Sequence, residues 1–293
     1  MLTSKAFIMP RFMLILLIWA CERNVEDPNP KPPFEKIPKS FAVSNSIKEA
    51  SGIAGSKINP GYLWVHEDGG TPSQVLLLKN DGSLIKSIII NNAVNIDWED
   101  MALSKGPNAS LNYLFLADIG DNFLMRTDYS IYRFPEPALS VDTVATVDNI
   151  RFQYPGGSHN AEAILIDHVT KDIYIITKAD NRSRIYKLPY PQSVTSVNKA
   201  VLAGELSLDE VTAAAISGDG NEIIIKTYPA LHYFLRTSGQ TIEQALKNTQ
   251  LNLSYQLEPQ GEAIGFASDN SGFYTLSEKA SSPVVNLYFY KRN

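Results

Sequence analysis

The sequence predicts an all-β fold: a five-bladed β-propeller closed by an N-terminal strand that completes the last blade. Three observations carry that expectation. A unit of one acidic residue (once a threonine), an apolar strand, a turn and a second apolar strand occurs five times along the chain. Two further strand-like runs follow each copy, and four strands per repeat of this length make a propeller blade. The fifth copy lacks its fourth strand, while an unassigned strand stands before the first copy.

The elements follow in order. The copies are "EASGIAGSKINPGYLWVHED" from Glu49, "EDMALSKGPNASLNYLFLAD" from Glu99, "EAILIDHVTKDIYIITK" from Glu162, "TAAAISGDGNEIIIKTY" from Thr212 and "EAIGFASDNSGFYTLSE" from Glu262, spaced by 50, 63, 50 and 50 residues. Alternating apolar and aromatic residues mark strands rather than helices. Third strands are "QVLLLK", "SIYRF", "RIYKL", "HYFLR" and "NLYFY"; fourth strands are "SLIKSIII", "NIRFQY", "KAVLAGEL" and "LNLSYQL". Residues 241–249 read as one short helical insertion. "SFAVSNS", residues 40–46, occupies the place of a fourth strand and would close the ring, removing an exposed edge.

Outside this domain, 40–293, the sequence suggests a leader and a tether. Lys5 and Arg11 precede an apolar run from Phe12 to Ala20, too short for a membrane span and typical of a secretory signal peptide over 1–20. Leu17-Ile18-Trp19-Ala20-Cys21 resembles a bacterial lipobox, which implies a lipid on Cys21, the chain's one cysteine. Residues 21–39 carry five prolines among charges and read as an extended tether. The expected location is the bacterial envelope, as an outer-membrane lipoprotein held to the membrane by its lipid. Without 1–20 the chain holds 24 basic against 31 acidic residues, a net charge of about −7, which argues against a nucleic-acid partner. A monomer is expected.

In a propeller the first strand of each blade lines the axis. Glu49, Glu99, Glu162, Thr212 and Glu262 therefore approach one end of the channel, and the returning second strands bring His66, Glu67, Asp68, Asp118, Asp121, Lys178, Tyr228 and Glu278 to the same mouth. Carboxylates so crowded repel one another and rise in pKa unless a counter-charge joins them. Calcium, which takes six to eight oxygens, is the expected cofactor, with those four glutamates and Thr212 as metal candidates. The alternative is a structural seam in which each glutamate accepts backbone N–H bonds from its neighbour. Zinc is disfavoured because His66, His159, His168 and His232 show no ligand spacing.

The order Glu, Glu, Glu, hydroxyl, Glu over five blades resembles the calcium-activated nucleotidases (apyrases), which implies a five-bladed propeller with a central calcium. Where this chain has Glu49 and Ser51, that family carries a Glu-Leu-Ser motif whose serine is the ligand. "HEDGG" (66–70) looks like its acidic strand-end turn, without its arginine. The strand starts also resemble esterase-like phytases, and "NIDWEDMA", "ADIGDN" and "NAEAILID" look most like a set of uncharacterised secreted propellers.

Asp118, Asp121, Arg126 and His66 are the catalytic candidates, since acids beside a metal can activate water and a histidine can act as a base. Glu67, Asp68, Asn122, Lys178, Arg182, Tyr228 and Glu278 are the candidates for holding a small-molecule, glycan or protein ligand. No nucleophile elbow is present, so a serine-esterase triad is not expected. The reading is an envelope-anchored propeller with an axial calcium site, serving as a binding or scaffold module; the alternative is a calcium-dependent phosphoester hydrolase.

Overall fold

The structure, a computed structural model, describes residues 32–178 and 182–293. The expected leader over 1–20 and the lipidation candidate Cys21 lie outside the described residues.

Five antiparallel sheets form the five blades. From the axis outward, blade 1 holds Ala50–Gly55, Tyr62–Glu67, Gln74–Lys79 and Leu84–Ile90. Blade 2 holds Trp98–Lys105, Asn112–Asp118, Tyr129–Pro135 and Asp148–Gln153, and blade 3 holds Ala161–Ile166, Ile173–Thr177, Ser183–Leu188 and Val201–Leu206. Blade 4 holds Val211–Ile216, Glu222–Thr227, Leu231–Leu235 and Leu251–Leu253. Blade 5 takes Gln260–Phe266, Gly272–Glu278 and Asn286–Lys291 from the C-terminal region, and its outermost strand is Lys39–Ala42. That strand pairs in the register Lys39 to Phe289 and Ala42 to Asn286, so the ring closes as expected.

The inner strands of each blade bury two faces because they lie between two blades, whereas the outermost strands are largely exposed. Trp64 packs toward blade 2, while its neighbours Leu63 and Val65 pack toward blade 5. The apolar core is thus five clusters, one at each blade interface. This explains why the strands read as continuous apolar runs and not as half-polar ones.

Two features depart from expectation. Short parallel strands, Thr143–Val144 and Asn198–Lys199, come from the following blade and cover the outer edges of blades 1 and 2. Packing also begins before residue 40. Phe34 is buried between blades 4 and 5, its ring 4.9 Å from that of Phe273 and 6.0 Å from that of Tyr233, and its backbone bridges to Arg292. The compact unit runs from Pro32 to Asn293, so residues 32–39 belong to the domain and not to the tether. The helical insertion is one turn, Ile242–Ala245, held by a capping box between Thr241 and Gln244.

Candidate functional site at one end of the axial channel

Every innermost strand carries a β-bulge near its start. The shifts fall between Ala50 and Gly52, Trp98 and Asp100, Ala161 and Ala163, Val211 and Ala213, and Gly261 and Ala263. A bulge leaves one residue outside the ladder and re-aims its side chain. The bulged residues are therefore Ser51, Glu99, Glu162, Thr212 and Glu262, which share one register level around the axis.

This corrects the expected ring at one position. Glu49 is exposed and precedes the strand, bridging to Glu278, while Ser51 stands level with Glu99 and Glu162. The fifty-residue spacing from Glu49 to Glu99 concealed a two-residue difference, because the bulged residues Ser51 and Glu99 are 48 positions apart. The two hydroxyls at this level are seams: Ser51 donates to the Glu99 carbonyl, and Thr212 donates to the Gly261 carbonyl at 3.0 Å. The three glutamates keep their carboxylates for the mouth.

Further acids converge on these three. Asp68 sits in the turn after the second strand of blade 1, with its backbone amide bonded to the Glu49 carbonyl at 2.7 Å and its carbonyl held by Asn95 at 2.9 Å. Asp97 precedes the inner strand of blade 2 and donates its amide to Asp118 at 3.1 Å. A Cβ at Gly120 would stand 2.2 Å from Glu99 Oε1 and 2.3 Å from Asp97 Oδ2, so any other residue there would displace this carboxylate pair. Two triads result, Asp68–Glu262–Glu278 and Asp68–Asp97–Glu99, in each of which one oxygen per residue lies within 4.8 Å of the others. Asp97 escaped the sequence reading because it precedes the repeat's own acid; its "NIDWED" context was the available signal.

Lys178 is the cation among them. Its ammonium lies 2.5 Å from Glu162 and 4.0 Å from Glu262, and it donates to the Tyr228 hydroxyl at 2.9 Å. Tyr228 in turn donates to Glu262 at 2.8 Å, and Gln260 adds a bond at 3.2 Å. Burial works against the Lys178 charge, yet Glu162 and Tyr228 raise its pKa above the usual lysine range. One cation does not neutralise six carboxylates. Burial, with mutual repulsion, pushes Asp68 up to about 6 and Glu278 to about 9. Glu162 rises to about 8 by burial despite Lys178, and burial with Glu162 and Asp68 lifts Glu99 well above the carboxylate range. Glu162 Oε2 is buried without a partner.

The other candidates are placed as follows. Arg126 is tied to Asp118 Oδ1 at 2.8 Å and to the Gly120 carbonyl at 2.9 Å. Asp121 is buried and accepts the amides of Met125 and Arg126 and the Tyr129 hydroxyl, which fixes the loop; these bonds hold its carboxyl below the usual range despite burial. Asn122 bonds Asn160 at 3.1 Å. Glu67 accepts the Lys48 amide at 2.8 Å, a backbone tie at the entry of blade 1. Arg182 is exposed before the third strand of blade 3. His66 is not at the mouth at all. It is fully buried, packs edge-on against Trp98 at 5.7 Å, and burial pushes its imidazole down to about 4, so its expected role as a base is corrected to packing between blades 1 and 2.

One residue passed over in the sequence organises the axis. Asp100, next to Glu99, is fully buried and spans the channel. Its Oδ1 accepts the Met101 amide at 2.8 Å, and its Oδ2 accepts the amides of Ile164 in blade 3 at 2.8 Å and Ala214 in blade 4 at 3.3 Å. It forms the floor of the acidic mouth.

No protein-family model matches this sequence, and no curated protein matches it. Among solved structures, a luciferin-regenerating enzyme is similar at TM-score 0.51 and 9% identity, with 87% of this chain and 95% of that one covered. A nidogen/laminin complex is similar at TM-score 0.47 and 11% identity, over 82% of this chain and 76% of that one. At such identity a likeness is one of fold alone.

Proposed function

We propose that this propeller is a binding module whose acidic mouth takes calcium and, with it, an oxygen-rich ligand such as a glycan or the acidic side chains of a partner. The observation that carries the reading is the pair of carboxylate triads sharing Asp68. The donor set is all oxygen, which suits a hard cation, and the unpartnered Glu162 Oε2 faces the same crowded environment. Asp68, Asp97, Glu99, Glu262 and Glu278 would hold the ion. What calcium supplies there is charge neutralisation and an open coordination position for ligand oxygen.

Binding is favoured over phosphoester hydrolysis by how the cations are used. Arg126 serves Asp118 and Lys178 serves Glu162, so neither stands ready for a phosphate, and Asp121 is occupied by its own loop. Attachment to an envelope membrane through lipid on Cys21 remains part of the proposal and is checked by mass spectrometry of the protein from membranes. The central test is calcium titration calorimetry on the purified domain and on Asp68→Asn. The wild type should bind and Asp68→Asn should bind much more weakly. Absence of binding heat and of any calcium-dependent change in melting would overturn the reading.

A further inference from the structure

We propose that the half of the channel beyond Asp100, away from the acidic mouth, is a second binding site that takes a small amphipathic molecule with an apolar body and an anionic head. A cavity of about 490 Å³ lies there, a volume usual for small-molecule sites. All five inner strands line it. Its inner end is formed by Ile53, Met101, Ile164, Ala214 and Ile264, one residue from each blade, all two positions past the bulge. The amides of Ile164 and Ala214 at this level are the ones Asp100 occupies, so the same carboxylate that floors the acidic mouth closes this cavity.

Four residues further along the strands the chemistry changes. Lys57, Lys105 and His168 stand at one level of blades 1, 2 and 3 and line the outer end. Lys57 donates its ammonium to the Ser268 carbonyl, which draws it across the opening toward blade 5, and Lys105 is half-buried. His168 is held at both ring nitrogens: its Nε2 donates to the Ser217 carbonyl at 2.8 Å, and its Nδ1 lies 2.7 Å from Ser104 Oγ. Among the described residues, no Asp or Glu lines this cavity. Asp269, whose carboxylate feels Lys57, is bonded to the Ser271 amide and lies outside the lining.

Four residues of strand rise give a shaft ~13 Å deep. Its walls reward an alkyl or aryl body by removing apolar surface from water. The two ammonium groups at the opening supply the counter-charge for a carboxylate or sulfonate head. A cationic amphiphile has no partner at this end, and Asp100 denies it passage to the acidic one.

The test uses the whole domain, with anilinonaphthalene sulfonate as fluorescent probe and decanoate, below its micellar concentration, as competitor. Decanoate should bind saturably at one site and displace the probe, decyltrimethylammonium should not, and EDTA should change neither result. Charge reversal by Lys105→Glu with Lys57→Glu should weaken decanoate by about tenfold or more, the equivalent of one charge-assisted contact, with calcium binding unchanged. Ala215→Leu, which narrows the shaft, should weaken probe and decanoate together. The proposal is overturned if decanoate shows no saturable binding, if the cationic analogue competes equally, or if charge reversal leaves decanoate affinity within twofold. Because the two ends are separate, a failed calcium titration at the acidic mouth does not touch this result.

Discussion

The two ends of the axial channel are built from the same five strands and have opposite chemistry. At one end Glu99, Glu162 and Glu262, joined by Asp68, Asp97 and Glu278, face a single lysine. At the other, six positions along the same strands, Lys57 and Lys105 stand over an apolar shaft that no acid lines among the described residues. Repetition explains the contrast. A residue type placed at one register of one strand recurs at the same height around the axis, so a repeat multiplies a local choice into a ring. Asp100 breaks the repeat, and it is the residue that separates the two ends.

Removing the divider should produce the largest effect. Asp100→Ala leaves the amides of Met101, Ile164 and Ala214 without their acceptor in a buried site. A loss of about 3 kcal/mol is expected from urea denaturation, since each unsatisfied buried donor costs ~1–3 kcal/mol. Asp100→Asn keeps one oxygen acceptor and should lose less. A loss below about 1 kcal/mol for the alanine variant would mean that water replaces the carboxylate, and that the ends communicate.

Calcium should come next, and only at the acidic end. At a free concentration one hundred times the dissociation constant, a single site adds about 2.7 kcal/mol to stability. Melting should therefore rise with calcium and fall with chelator in the wild type, and should respond little in Asp68→Asn. An equal response in Asp68→Asn would move the ion away from the shared carboxylate.

Protons should do part of what calcium does. A carboxyl whose folded pKa lies above its unfolded value contributes stability at low pH and loses it as pH rises from the unfolded value through the folded one. Asp68, Glu162 and Glu278, at about 6, 8 and 9 against ordinary values near 4, act in this direction. His66, lowered from 6.5 to about 4, acts oppositely, but only between those values. Lys178, raised from an already high value, holds its charge throughout. In chelator, stability should thus fall from pH 6.5 to pH 9, and calcium should flatten the slope. A rising melting temperature over that window in chelator would contradict the crowding of charge described here.

How much of this was legible from residues depends on what the residue does. The blades and their closure by the strand near residue 40 follow from periodicity, which the chain states five times over, and the helical turn at 242–245 stands out as the one insertion against it. Glu99, Glu162 and Glu262 were legible for the same reason. Glu49 was misread because a bulge, not the start of a strand, sets the ring, and a bulge has no composition of its own when its residue is a serine. Asp100 was hidden by Glu99 beside it: sequence shows two acids, and only the register shows that one reaches the mouth while the other crosses the axis. Phe34 looked like part of a proline-rich tether, and its burial depends on a slot between blades 4 and 5 that no local pattern announces.

The smallest effect sharpens the comparison at the level of single hydroxyls. Ser51 and Thr212 take the ring positions that carry glutamate in the other blades, and each gives its proton to a carbonyl of another blade's inner strand. As seams, Ser51→Ala and Thr212→Ala should each cost about 1 kcal/mol in denaturation, the usual worth of one intramolecular hydrogen bond. Calcium affinity should stay within about twofold, because a hydroxyl whose proton is committed to a carbonyl still lends the ion only a weak neutral oxygen beside five carboxylates. The opposite pattern, unchanged stability with a tenfold weaker calcium site, would show both hydroxyls to be ligands first, and would make the ring at the acidic end five-membered in chemistry as well as in geometry.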